Sequence, residues 1–184
     1  MPTPEPATRS ALFAGLPQLP GDLPAYDDFR FVSDSDGAYA VLAPAEWADE
    51  SNLAPGEVLV SSDNELAAAN ALISAAIVSG LQGVGIFRAE FFLDGLLEEL
   101  EDPNNPCEEI SREPYNDGTH DGFLYFASCS EGRMVQAQAI LSDVNRESII
   151  FVGVQAIQER DFEVFQVMLE SLTIADPALL PPVQ

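Results

Sequence analysis

From Phe29 onward, apolar and polar residues alternate with the period of a strand. Phe29 and Phe31 on one arm and Tyr39 and Val41 on the other flank Ser33-Asp34-Ser35-Asp36-Gly37, a polar turn with glycine where positive φ is useful. Pro44 ends the second arm, and Trp47 is expected to cover the sheet edge. Val58, Leu59 and Val60 predict a short buried strand over 57–61. Ser62-Asp63-Asn64-Glu65 then fits a capping box, and Leu66, Ala69, Ile73, Ala76 and Ile77 follow at helical spacing up to Gly80, a natural helix stop. Residues 83–89 read as a strand, and a second helix over about 90–101 carries Phe92, Leu93, Leu96, Leu97 and Leu100, with Pro103 and Pro106 barring its continuation. Strands follow at about 108–114, 121–129, 133–142 and 148–156, with turns at Asn116-Asp117-Gly118, Ser130-Glu131-Gly132 and Ser142 to Arg146. A last helix, about 159–173, places Phe162, Phe165, Leu169 and Leu172 on one face and Glu159 and Asp161 in the turn where the dipole favours acids. Strands joined mostly by hairpins predict an α+β fold, a mainly antiparallel sheet of about six to seven strands flanked by helices.

That pattern occupies the middle of the chain. Residues 1–25 hold Pro2, Pro4, Pro6, Pro17, Pro20 and Pro24, a composition that resists helix and sheet and reads as an extended linker. Residues 176–184 read as a C-terminal tail. Between them, 26–175 suits one domain: 184 residues with 47% hydrophobic content can bury a full core. Both tails set apolar residues on a stiff backbone, Leu12, Phe13 and Leu16 at one end and Leu179 and Leu180 at the other. They are the candidate partner-binding anchors, for a protein partner or for self-association.

Charge narrows the partners. The formal net charge is −24, from 31 acids against 7 bases, every base an arginine. Such a surface repels nucleic acid and anionic lipid and favours cations or basic protein patches; adaptation to a saline habitat is the alternative source of the acidity. No run of about 20 apolar residues predicts a membrane span. The opening residues show neither the basic nor the apolar region of a signal peptide, and read as a linker exposed after removal of a leader or anchor.

The stretch from Cys107 to Cys129 is the most informative. One cysteine heads each arm of a hairpin, beside polar turns rather than inside apolar runs, which favours a disulfide over two buried thiols. A bonded pair implies an extracytoplasmic domain, and closing a loop of this size contributes about 3 kcal/mol in the chain-entropy model. Two cysteines and one histidine are too few for a zinc site.

Four groups of residues together resemble the PsbP-like α/β/α sandwich family, in particular the extracytoplasmic domains of actinobacterial and related proteins that sometimes accompany trypsin-like proteases. They are Ala43-Pro44-Ala45-Glu46-Trp47 after the first hairpin, and Ser61-Ser62-Asp63 before the helix leading to Gly83-Val84. The third is Cys107 with Tyr115, Gly122 and Cys129, and the fourth runs from Phe151-Val152-Gly153-Val154-Gln155 to Leu172-Thr173-Ile174. The resemblance spans residues 28–174. It implies a binding or assembly role and no catalytic residues; the alanine and acid content departs from the plant members, so a photosynthetic role does not carry over.

Little else in the chain suggests chemistry. His120 is the only side chain able to serve as a base for a nucleophile, and it lies among turn formers, Asn116 to Gly122. Gly80, Gly83 and Gly85 follow a helix and open a strand, the reverse of a phosphate loop. Asp34-Ser35-Asp36-Gly37 begins like a calcium loop, but Ala45 stands at its twelfth position. Glu98, Glu99, Glu101 and Asp102 crowd the negative end of a helix, which a divalent cation or a basic partner would relieve; a solvated acidic edge is the plainer reading. The sequence therefore predicts a non-enzymatic extracytoplasmic binding or assembly module without a cofactor, with an accessory domain of a larger protease or kinase polypeptide as the alternative.

Overall fold

The computed structural model describes residues 11–53, 56–62, 73–82, 94, 107–143, 148–175 and 180. Ten strands and one complete α-helix lie among them. In chain order these are β1 (Phe29–Ser33), β2 (Tyr39–Pro44), β3 (Trp47–Asp49), β4 (Glu57–Ser62), β5 (Ala75–Gln82) and β6 (Glu108–Asn116). Then come β7 (His120–Cys129), β8 (Met134–Asp143), β9 (Ser148–Ala156), α1 (Asp161–Ser171) and β10 (Thr173–Ile174). Seven strands form one antiparallel sheet in the order β3-β4-β5-β9-β8-β7-β6, and three form a second in the order β1-β2-β10. This is the expected α+β class with a seven-stranded antiparallel sheet.

The hairpin of β8 and β9 is apolar on both faces. β8 buries Val135, Ala137, Ala139 and Leu141 on one face, and β9 answers with Ile150, Val152 and Val154. Helix α1 presents Phe162, Phe165, Met168 and Leu169 to that face, and the three-stranded sheet adds Val32, Tyr39, Val41 and Ala43 to the same core. The opposite face carries its own cluster of Tyr125, Ala127, Cys129, Met134, Ile140 and Ile149. Gly122 lets β7 and β8 approach: a Cβ there would lie 1.9 Å from the Ile140 carbonyl oxygen.

The structure corrects the sequence reading between 75 and 82. The expected helix through Ala76 and Ile77, ending at Gly80, is the central strand β5, paired with β4 on one side and β9 on the other. Alanine-rich spacing satisfied both periods, and pairing on both sides decided for the strand. Gly80 is no helix stop. It is buried in mid-strand, where a Cβ would meet Ile150 at 2.6 Å and Leu180 at 3.0 Å. The capping box beyond Ser62, the strand at 83–89 and the helix over 90–101 lie outside the described residues, apart from Asp94, which is helical. Trp47 lies on the sheet margin, as expected, but it does so as the first residue of edge strand β3.

The first tail also differs from its expectation. Phe13, Leu16 and Leu19 are buried in the main core. The Phe13 ring stacks on Phe162 at 5.0 Å and meets Phe126 edge-on at 6.1 Å. Residues 11–19 thus belong to the packing of the domain, and Leu180 enters the same core from the other end of the chain.

Candidate interaction surface

Asp34 and Asp117, which lie in turns that the sequence marked, hold those turns. Asp34 is buried; its Oδ1 accepts from the Tyr39 N–H at 3.0 Å and its Oδ2 from the Asp36 N–H at 3.0 Å, while Gly37 takes φ 72°. The calcium-like string is a hairpin turn. At the β6–β7 turn, Asp117 Oδ1 accepts from the N–H groups of Thr119 and His120, and Oδ2 receives the Tyr115 hydroxyl at 3.2 Å. His120 is buried, with Nδ1 3.3 Å from Asp117 Oδ2. Burial pushes the Asp117 carboxyl up, but the His120 and Thr119 amides and the His120 ring outweigh it and hold the group below its ordinary value. Burial, with the Asp117 charge beside it, raises Tyr115 to about 12.

A second polar cluster sits at the start of α1. The Asp161 carboxylate is fully buried and accepts four hydrogen bonds, from the hydroxyls of Tyr26 (2.7 Å) and Ser74 (2.5 Å) and from the N–H groups of Ile157 and Gln158. Trp47 Nε1 donates to the Tyr26 oxygen at 3.2 Å. Arg160 lies over the Tyr26 ring at 4.1 Å and pairs with Glu46 at 3.1 Å. This hub ties the segment before β1, strand β3, the start of β5 and the helix together. From sequence, Asp161 read only as an acid favoured by the helix dipole, because its donors are scattered over the chain.

Cys107 and Cys129 form a disulfide, S–S 2.02 Å, linking the residue before edge strand β6 to the buried end of β7. Glu98, Glu99, Glu101 and Asp102 lie outside the described residues, and among the described residues no three His, Cys, Asp or Glu side chains gather as a metal site requires. No described helix is long and apolar enough to cross a membrane.

The expected partner-binding anchors are spent on the domain itself. Phe13, Leu16 and Leu180 are buried and Leu12 packs half-buried against the core, so their apolar surface is not on offer; Leu179 lies outside the described residues. Among the described residues, the exposed large apolar side chains are instead Phe31 on β1 (68% exposed), Leu53 (73%) and Leu23. The outer face of the three-stranded sheet carries Phe31 directly opposite Leu42, with Ala40 beside them. A hollow lined by Ser33, Ser35, Asp49, Ser51 and Asn52 adjoins it. Alternation alone placed Phe31 in a strand; which face the domain would leave open is a tertiary matter.

The sequence matches no protein-family model, and no curated protein matches it. Solved structures do match. The Ran-binding protein Mog1p of Saccharomyces cerevisiae superposes over 83% of this chain and 98% of its own, with a TM-score of 0.55 at 14% identity. This chain is similar in fold to Mog1p. A mutant of Mog1 gives 0.54 over the same shares at the same identity. The cyanobacterial PsbP protein CyanoP of Synechocystis aligns over 84% of this chain and 96% of its own, at 14% identity and a TM-score of 0.48. The Mog1p match spans nearly all of that chain.

Proposed function

We propose that this chain is a non-enzymatic protein-binding or assembly module that works outside the cytoplasm. The observation that carries the reading is Phe31, 68% exposed on the outer face of the three-stranded sheet although its neighbours Val32 and Val41 are fully withdrawn from water. An aromatic ring left in solvent on an ordered strand is the kind of residue that anchors interfaces. The use of the ionisable groups supports a binder over a catalyst: Asp161 is saturated by four donors and His120 is buried against Asp117. The disulfide supports an oxidising compartment. Similarity in fold to a Ran-binding protein is consistent with a protein partner, although fold alone names none.

The test is capture of partners from the source organism by immobilised wild-type protein and by Phe31→Asp. Wild type should retain a partner that Phe31→Asp loses at least tenfold, with unchanged circular dichroism. Equal retention by both would remove Phe31 from the interface and the reading with it.

A further inference from the structure

We propose that β1 takes an added strand along its open edge, from an extended basic segment of another protein. The inference rests on the binding reading above and specifies its mode and partner chemistry.

The register of the first hairpin decides which way β1 faces. Asp34 N–H donates to the Tyr39 carbonyl at 3.4 Å and Ala45 N–H to the Asp28 carbonyl at 3.0 Å. In this antiparallel ladder the residues bonded to β2 are therefore 28, 30, 32 and 34. Phe29, Phe31 and Ser33 turn their backbone groups the other way. The Phe29 N–H meets the Asp28 carboxylate at 2.9 Å, and among the described residues no strand pairs with the edge beyond it.

The other edges are closed to pairing in ways β1 is not. Edge strand β6 carries Glu108, Glu109, Glu113 and Pro114, has a register irregularity between Glu109 and Ser111, and has Arg112 held by Asp94 at 2.7 Å. Edge strands β3 and β10 are three and two residues long. Proline, charge, bulges and shortness are the devices that blunt a sheet edge. β1 is five residues long, has no proline, and sets Phe31 outward beside the edge. A strand that adds there gains main-chain bonds from Phe31 and Ser33 and an apolar contact on the Phe31 ring.

Charge selects the occupant. Exposed Asp27 and Asp28 precede β1, Asp36 follows it, and Asp49 lines the adjoining hollow. The one base on the strand, Arg30, is already engaged, with Nη2 donating to the Trp47 carbonyl at 2.9 Å and Nη1 3.7 Å from Asp49. An incoming strand alternating apolar residues with lysine or arginine meets both the ring and the acids; an acidic strand, a second copy of this chain at net charge −24 included, is repelled.

The test uses the full chain and three synthetic octapeptides: alternating valine and lysine, the same peptide N-methylated at every second residue, and alternating valine and glutamate. Titration calorimetry should show binding of the lysine peptide, at least tenfold weaker binding of the N-methylated one, and none of the glutamate peptide. Ser33→Pro removes one outward N–H while keeping the Phe31 ring and every bond to β2, and should weaken the lysine peptide at least tenfold with unchanged unfolding. No binding of the lysine peptide by folded protein, equal binding of its N-methylated form, or an unaffected Ser33→Pro would overturn the proposal. So would a dimer in sedimentation that Ser33→Pro dissociates, since a second copy would then hold the edge. A native partner lost by Phe31→Asp yet kept by Ser33→Pro would leave the binding reading standing and remove strand addition alone.

Discussion

Tyr26 and Asp161, 135 positions apart, are joined by a 2.7 Å hydrogen bond from the phenol to the buried carboxylate. Around that bond the chain gathers Trp47, Ser74 and the two amides that precede α1. A buried charge is tolerable only when its hydrogen-bonding capacity is met, and here four donors meet it.

Removing that acceptor takes the partner from two buried hydroxyls, those of Tyr26 and Ser74, and from two half-buried amides. Asp161→Ala is expected to lower stability by about 3 kcal/mol or more, and Asp161→Asn, which keeps one acceptor oxygen, by less. Urea unfolding of the three proteins checks the order; an Asp161→Ala protein as stable as wild type would show that the hub contributes nothing.

The burial of Phe13, Leu16 and Leu19 makes residues 11–19 a structural element. Phe13→Ala is expected to cost about 3 to 5 kcal/mol, as for other aromatic truncations in a packed core, and deletion of residues 1–25 is expected to lower the melting temperature markedly. Thermal unfolding decides it. An unchanged melting temperature after the deletion would return the segment to the status of a linker.

Three tyrosines report on pH. Burial raises Tyr26 and Tyr39 well above the ordinary value near 10, with the nearby charges of Asp161 and Asp34 adding to it, and Tyr115 is raised to about 12. Each folded-state pKa exceeds the unfolded one, so the native state holds its protons longer. The associated stability is complete below about 10 and is lost as pH rises from there through the folded values. Phenolate absorbance should therefore lag behind that of free tyrosine until the protein unfolds; three normal titrations near pH 10 in folded protein would contradict the burial of these rings.

The disulfide is expected to leave no alkylatable thiol in the folded, unreduced protein. Replacing Cys107 and Cys129 together by serine should reduce stability by about 3 kcal/mol, since the bond closes a loop of sequence separation 22. Mass spectrometry after alkylation tests the first statement and denaturant melts the second.

Much of the fold was legible in the sequence because alternation and turn chemistry are local. The β1–β2 hairpin follows from Phe29 to Val41 around Gly37, strands β7 to β9 follow from polar turns between apolar runs, and the polar strand β6 follows from the turn it shares with β7. Helix α1 follows from the spacing of Phe162, Phe165 and Leu169. The cysteines stood at the ends of one hairpin, so their pairing could be argued from that hairpin as well. β5 was not legible. Ala75, Ala76 and Ile77 suit either period, and only the ladders offered by β4 and β9 on its two sides make a strand of them.

Periodicity says that a side chain is apolar on one side of its own element, not what will cover it. Phe13, Leu16 and Leu180 looked like anchors for a partner because nothing near them in sequence buries them; Phe126, Phe162 and Ile150 do so from far along the chain. Phe31 had the signature of its buried neighbours and was left in water by the way the two sheets meet. The same holds for Asp161, an ordinary first-turn acid by position and the centre of a buried network by contact. Local composition determined which elements form, and long-range packing decided which of their surfaces remain free to bind.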